Sequence, residues 1–347
     1  MQIVWQTGPE RVEVEDRPVP HPGEGEVLIR VVASALCGSE LKGYRSDHHG
    51  RNGGHEAVGE VVELGPGCSH LRVGDRVGVS AVQGCGRCAY CAAGQYTYCE
   101  QHVVFAGMHA EYALTRELGC QQLPDDVPWG VGVLLTGDGL GVPFHVGQRL
   151  GERTGADRLV VIFGVGPVGL GNVLVEHHLG AEVVAVDLSR TRLAMAQKLG
   201  AARTVLVEAN AGGPDPASTL AQRVREVCGR APDVCLECAG RQETLFAALS
   251  AVRTAGTVVC VGEQGPAPIS PSVHLIHRDI TLMGSWFYHF SEYPAMLALY
   301  RAGLPVADLI SDRFQLTEAQ QAYRLFAAGE TGKVLLCPDS RAHTPNG

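Results

Sequence analysis

The chain lacks any surplus of positive charge: 28 Lys and Arg stand against 37 Asp and Glu, a formal net charge of -9 at pH 7. It has no long basic run either, so there is no general electrostatic ground for binding nucleic acid or an anionic membrane. Long apolar runs are also missing. The most apolar segment, Leu159 to Leu170, is too short to span a bilayer and is broken by Gly164, Gly166, Pro167 and Gly169. The opening Met1-Gln2-Ile3-Val4-Trp5-Gln6 has neither the charged start nor the apolar stretch of a secretion signal. These absences predict a cytoplasmic protein with no membrane and no nucleic-acid partner. No internal repeat or low-complexity linker divides the chain.

Gly and Cys, by contrast, are plentiful. The 44 glycines imply many tight turns and at least one close backbone approach to a ligand. At 347 residues, two domains are the default expectation. The first ~130 residues read as mainly β, with short β-branched runs such as Val27–Val32 and Val58–Val62 between Gly/Pro turns. From Arg158 the texture becomes strand, helix, strand, helix. Leu159–Phe163, Val183–Val186, Val234–Glu237 and Thr257–Val261 are the strand candidates, and Thr191–Leu199 is a helix candidate. That alternation predicts a parallel sheet covered by helices on both faces. Beyond Trp286 the pattern predicts helices over Ser291–Arg301 and Glu318–Ala328, a strand over Gly332–Leu336, and a frayed polar tail from Asp339 to Gly347.

The 12 cysteines decide their own chemistry by clustering. Cys85, Cys88, Cys91 and Cys99 lie in one short loop, two successive C-x-x-C steps followed by a fourth Cys. That spacing lets four thiolates surround one Zn²⁺ and leaves no position for substrate, so the site is structural. An iron–sulfur cluster, a disulfide pair and coincidence are the alternatives; the spacing and a cytoplasmic setting favour zinc. A second pair, Cys37 and His55, eighteen residues apart, offers a thiolate and an imidazole to a centre that needs one more ligand, with two unrelated core or surface residues as the alternative reading. Gly164, Gly166, Val168 and Gly169 belong to a G-x-G-x-x-G that follows an apolar strand and opens a helix. In that context the motif predicts a dinucleotide pyrophosphate at the helix N-terminus. Asp187, 18 residues past Gly169, favours NAD over NADP through the ribose hydroxyls. Arg190 and Arg192 beside it work the other way, since an Arg can receive a 2′-phosphate.

These features, in this order, resemble the zinc-containing medium-chain alcohol and polyol dehydrogenases, including the sorbitol and threonine dehydrogenase branches. The resemblance covers nearly the whole chain: Cys37-Gly38-Ser39, Gly54-His55-Glu56, Val73–Val77, the four-Cys loop, Gly164–Gly169, Glu237–Gly240 and Gly329–Val334. It implies an α/β protein in which a GroES-like β-rich catalytic domain, residues 1–145 and 287–347, accompanies a Rossmann doubly wound parallel sheet, residues 146–286, with the active site in the cleft between them. It implies two Zn²⁺ per chain, one catalytic and one structural, and NAD as cofactor.

Carried over by position, Cys37 and His55 are catalytic zinc ligands and Asp138 stands where the family has a Cys or Glu. Glu56 is the alternative ligand if the shorter Asp138 does not reach. Ser39 carries the substrate proton outward. Glu40, in place of the family's usual Asp, orients the zinc-bound His. Where the family often has a His at the outer end of the relay this chain has Lys42, and Lys42, His48, His49 or none of them takes that part. Lys333 resembles a basic residue that touches the cofactor pyrophosphate. The implied reaction passes a hydride between NAD and a small hydroxyl-bearing substrate: a secondary alcohol, polyol, sugar or amino alcohol. A homodimer or homotetramer pairing through Ile280–Ser285 is the implied assembly. Two rival readings are a dinucleotide-binding protein without catalytic zinc and a zinc-stabilised interaction module.

Overall fold

In a computed structural model of the protein, residues 1–47, 49–208 and 215–342 are described; His48 and residues 343–347 of the tail lie outside them. The chain forms two compact units, Met1–Gly141 with Phe287–Gly347, and Val142–Trp286. The first division falls four residues before the expected one after 145, and the second coincides with the expected one after 286.

In the first unit a seven-stranded sheet is organised on the ten-residue strand Glu26–Ala35. This strand pairs antiparallel with Ala57–Leu64, Tyr112–Arg116 and Lys333–Cys337. Alternation along it sends Val27, Ile29 and Val31 into a core with Val61, Val77, Val79 and Met108. Register shifts between Leu28 and Ile29 and between Val31 and Ala33 bend the strand, so its two ends serve different neighbours. The helix Ala319–Ala328 buries Ala319, Ala322, Tyr323 and Phe326 at 3- and 4-residue spacing against Leu36, Val334 and Leu336. It is entered through a capping box between Gln315 and Glu318 and left through Gly329 at φ 75.

The second unit is a six-stranded, all-parallel sheet. Its spatial order is Arg203–Leu206, Glu182–Asp187, Leu159–Phe163, Val234–Glu237, Thr257–Cys260 and Thr281–Gly284, the doubly wound order 3-2-1-4-5-6. Every residue of Leu159–Phe163 is buried, as a strand covered on both faces requires. The strand order reverses between Leu159–Phe163 and Val234–Glu237, so the nucleotide turn after Phe163 sits at the topological switch point. Two strands of this sheet, Arg203–Leu206 and Thr281–Gly284, are absent from the strand candidates above; both are four residues long and only partly buried.

Asp233 ties the opposite end of the central strands together. Its carboxylate accepts from Leu159 N at 2.9 Å, Arg230 at 2.9 Å and Arg253 at 2.7 Å. Burial works against its charge, but these donors outweigh it and hold the carboxyl down at about 2. A carboxyl depressed by folding stabilises the fold above its unfolded value, ~3.9, and that stabilisation is lost as pH falls toward 2. Asp233→Asn is therefore expected to lower the urea midpoint at neutral pH and to flatten its decline between about pH 4 and 2. Parallel midpoint–pH curves for the two proteins would remove Asp233 from the acid transition.

Candidate active site and metal centres

Three neighbouring strands deliver the first centre. Cys37 follows the end of Glu26–Ala35, His55 and Glu56 precede Ala57–Leu64, and Lys333 opens Lys333–Cys337. Ala35 N donates to Glu56 O at 3.0 Å and Leu36 N to Val334 O at 3.0 Å, so the three ends are held side by side. Asp138 reaches the same point from the turn after the helix Trp129–Leu135, where its N–H donates to Glu56 Oε2 at 2.8 Å.

Asp138 Oδ2 lies 3.1 Å from Cys37 Sγ and 3.2 Å from His55 Nε2. One donor atom from each of Cys37, His55, Glu56 and Asp138 falls within 4.8 Å of all the others. Tetrahedral zinc with S, N and O ligands separates neighbouring donors by roughly 3.3–3.6 Å, given bonds of about 2.0–2.3 Å. The observed spacings are close to that. His55 Nδ1 faces Gly53 O at 3.0 Å. A carbonyl only accepts, so Nδ1 carries the proton and Nε2 is the atom turned to the centre. Asp138 Oδ1 is buried with no hydrogen-bond partner among the described residues. A thiolate, an imidazole nitrogen and an orphaned carboxylate oxygen in one buried spot fit a divalent zinc-type cation.

The electrostatics agree. Burial and then Asp138 push the Cys37 thiol up. Burial opposes charge on His55, yet its bonds to Asp138 and Cys37 raise it well above its ordinary value. Burial likewise opposes charge on Asp138, but His55 pulls its carboxyl down. Glu56 is pushed by burial to about 7 against the pull of Lys333, whose ammonium is paired with Glu56 Oε1. Lys333, 1% exposed, is paired in this unit with Glu56, an ion pair that the sequence alone does not suggest.

Glu40 departs from the expected contact: among the described residues no hydrogen bond joins it to the imidazole of His55. Its Oε1 accepts from Cys37 N at 2.9 Å, while Oε2 takes His109 Nε2 at 3.0 Å and Tyr323 OH at 2.6 Å. Burial opposes its charge, but His109 outweighs it and holds Glu40 at about 2. His109 and Tyr323 escape a reading of the sequence because they are 69 and 283 residues away and carry no motif. Ser39 is exposed at the head of the helix Glu40–Tyr44 with no side-chain cap bond. Lys42 and His49 are exposed, and His48 lies outside the described residues.

The second centre is the four-Cys loop. Cys88 caps the turn Ala89–Ala92, which carries Cys91, and Cys99 follows the 3₁₀ turn Tyr96–Tyr98. Cys91 Sγ lies 3.5 Å from Cys88 Sγ and 3.9 Å from Cys85 Sγ, and Cys85 N donates to Cys99 Sγ at 3.3 Å. A tetrahedron of Zn–S bonds near 2.3 Å has edges of about 3.8 Å. All twelve cysteines are unbridged, which removes the disulfide alternative. Backbone N–H groups of Arg87 and Cys88 pull Cys85 down to about 6, and burial pushes Cys91 up to about 12. A divalent cation is what lets four such neighbours ionise together.

The dinucleotide turn lies wholly in the other unit. Gly164 has φ 86 and Gly166 caps the helix Pro167–His178, with Pro167 in its first turn. A Cβ on Gly169 would sit 2.0 Å from Gly164 O, so the turn closes only over glycine. Asp187 Oδ2 accepts from Val165 N at 2.7 Å and Oδ1 from Ser189 N at 2.8 Å. The carboxylate therefore shapes the turn as well as facing it. Arg192 approaches Gly166, its guanidinium 3.8 Å from where a Cβ would stand, whereas Arg190 is exposed.

Metal counting checks both centres. The protein is expected to hold two zinc per chain; Cys37→Ser should remove one and leave the thermal midpoint nearly unchanged. Cys91→Ser should remove the other and lower that midpoint, because a structural site contributes folding energy. One zinc in the unaltered protein would sink this assignment.

Residues 23–125 match the alcohol dehydrogenase GroES-like domain, and residues 167–302 match the zinc-binding dehydrogenase family. Sorbitol dehydrogenase of Gallus gallus is 31% identical, covering 96% of this chain and 95% of that protein. The uncharacterised zinc-type alcohol dehydrogenase-like protein YphC of Escherichia coli (strain K12) is 31% identical, covering 97% and 98%. Among solved structures, alcohol dehydrogenase TADH from Thermus sp. ATN1 is 30% identical with a TM-score of 0.82, covering 97% and 99%. With both metal-type donor sets assembled and the nucleotide turn formed, the chain belongs to the zinc-dependent alcohol and polyol dehydrogenase family and is an oxidoreductase using zinc and NAD.

Proposed function

We propose that the protein oxidises a secondary alcohol of the polyol, sugar or amino-alcohol class with NAD, and reduces the matching carbonyl in reverse. The observation that carries this reading is the buried convergence of Cys37, His55 and Asp138 with Asp138 Oδ1 left unpartnered. The carboxylate there, in place of a second thiolate, and the sorbitol dehydrogenase similarity favour a polyhydroxylated substrate over ethanol. Cys37, His55 and Asp138 would hold the catalytic ion, with Glu56 held back by Lys333 and by the N–H of Asp138. Cys85, Cys88, Cys91 and Cys99 would hold the structural one.

When bound, zinc supplies the Lewis acidity that lowers the pKa of a substrate hydroxyl, and NAD supplies the hydride acceptor. Ser39, exposed beside Cys37, takes up the proton the hydroxyl gives away and passes it to solvent. Gly164, Gly166, Val168 and Gly169 cradle the pyrophosphate, and Asp187 accepts from the ribose hydroxyls while repelling a 2′-phosphate. Arg192 lies by the turn as the residue that would receive such a phosphate if Asp187 were neutral. The catalytic domain is the unit built from both ends of the chain and the Rossmann domain is the central one. The outer edge of Thr281–Gly284, the last strand of its sheet, would pair two copies into a homodimer or homotetramer. Among the described residues no helix is long and apolar enough to cross a membrane, and we place the protein in the cytoplasm.

NADH formation across a panel of polyols, sugars, threonine and simple alcohols, with a chelator-treated control, tests the reaction. Chelator-sensitive turnover of a polyol or amino alcohol is expected, and Cys37→Ser should abolish it. Turnover that survives Cys37→Ser would refute the assignment. Asp187→Asn should cut the NAD over NADP preference in kcat/KM by roughly tenfold or more, a change of about 1.4 kcal/mol. Arg192→Ala added to it should take back the gained NADP activity; an unchanged preference in both variants would dismiss Asp187 as the discriminator.

A further inference from the structure

Behind the first metal centre lies a buried polar network that none of the roles above uses. His109 and Ser34 are fully buried, and Tyr323, Asn52 and Glu40 nearly so. The His109 ring is held at both nitrogens, Nδ1 against Ser34 Oγ at 2.8 Å and Nε2 against Glu40 Oε2 at 3.0 Å. An ionised carboxylate only accepts, so Nε2 donates. Tyr323 OH donates to the same Glu40 oxygen at 2.6 Å, and its ring meets the His109 ring edge-on at 6.2 Å.

Both metal-bearing arms rest on this network. The Cys37 arm is fixed by its own N–H on Glu40 Oε1 at 2.9 Å. The His55 arm is fixed through the two residues before it. A Cβ on Gly54 would lie 2.5 Å from His109 Cγ, so that backbone is laid directly on the imidazole. A Cβ on Gly53 would lie 3.2 Å from Glu40 Cγ. The backbone around His109 holds the same strap: Met108 N donates to Gly54 O at 3.0 Å, and Asn52 bridges His109 O and Gly54 N at 3.0 Å each. The strap in turn presents Gly53 O, on which the His55 ring is set.

We propose that His109 is a positioning residue for the catalytic metal: through Glu40 and the face of its ring it sets the spacing between the Cys37 and His55 arms. This rests on the reading of Cys37, His55 and Asp138 as a zinc site. Among the described residues the His109 ring is hydrogen-bonded to Ser34 and Glu40 and to no metal-ligand side chain, so it acts on the ion through the two arms. Residues that orient ligands from behind change metal affinity or activity by about 10- to 100-fold when lost.

His109→Phe keeps the ring and its contact with Gly54 and deletes both nitrogens. Zinc release to a competing chelator should become about 10- to 100-fold more favourable at this centre and stay unchanged at the four-Cys centre. In Co²⁺-loaded protein the visible d–d bands of the first centre should shift, a change that a loss of stability alone does not produce. His109→Gln, which restores a polar contact to Glu40, should recover part of both signals. If His109→Phe does not fold, Tyr323→Phe removes one bond to Glu40 at the far side and should move both readouts the same way by less. A folded His109→Phe or Tyr323→Phe with two zinc per chain, unaltered chelator competition and unaltered cobalt bands overturns the inference and leaves the functional reading standing. An unaltered protein that holds only the four-Cys zinc overturns both.

Discussion

Ionisable groups brought together where water does not reach must find their counter-charge in each other, and the first centre is arranged by that constraint. Cys37, Glu56, Asp138 and Lys333 are all at least nine-tenths buried and His55 is largely so. If the thiol and both carboxyls ionise, three negative charges face one ammonium. Leaving a buried charge without a partner costs several kcal/mol. Lys333 neutralises Glu56, which removes one pair. Cys37 and Asp138 remain, and their two negative charges are what a divalent cation balances, with neutral His55 completing the set. Without a cation the same atoms share protons, which is why Cys37 is driven up while His55 is held protonated above its ordinary range. The metal is thus implied by the charge balance as well as by the geometry.

The sheet explains how residues 37, 55, 56 and 333 reach one place. They stand at the ends of three strands that are neighbours, and backbone hydrogen bonds between those strands set their separation before any side chain is considered. Nothing comparable is needed in the nucleotide-binding unit. There the turn is made within one stretch of chain, from Gly164 to Gly169, and only Asp187 comes from the next strand. One unit builds its site by long-range pairing and the other by local backbone conformation.

That difference governs what was legible in the residues. The G-x-G-x-x-G, the four-Cys loop and the alternation of strands and helices from Leu159 on are local patterns, and the fold displays them where the sequence places them. Cys37 and His55 make only a weak pair on spacing, and Asp138 could be named only through resemblance, because no spacing rule links residue 37 to residue 138. The pairing of Lys333 with Glu56 is hidden from the sequence for the same reason: only the adjacency of Lys333–Cys337 to Glu26–Ala35 buries it there. His109 lies in a bend before the strand Tyr112–Arg116 and belongs to no motif, and its partners Ser34, Glu40 and Tyr323 are supplied by three separate elements.

Two departures from the family pattern then read as consequences of side-chain length. Glu40 stands where an Asp is usual, and it must reach Cys37 N, His109 Nε2 and Tyr323 OH together. The extra methylene lengthens the reach from the Cys37 turn toward a ring lying beneath Gly54. The longer acid belongs with His109. Asp138 is the opposite case, a short acid where a longer one is common. Its own N–H is already bound to Glu56 Oε2, which draws the backbone of the turn close to the centre. A short side chain then suffices to bring Oδ2 to within 3.2 Å of both Cys37 Sγ and His55 Nε2. The two carboxylates accordingly divide the work. Glu56 is committed on both oxygens, to Lys333 and to the Asp138 N–H, and Asp138 keeps one buried oxygen free of any hydrogen bond. Of the two candidate acids, Asp138 is the one with a whole oxygen still unclaimed among the described residues.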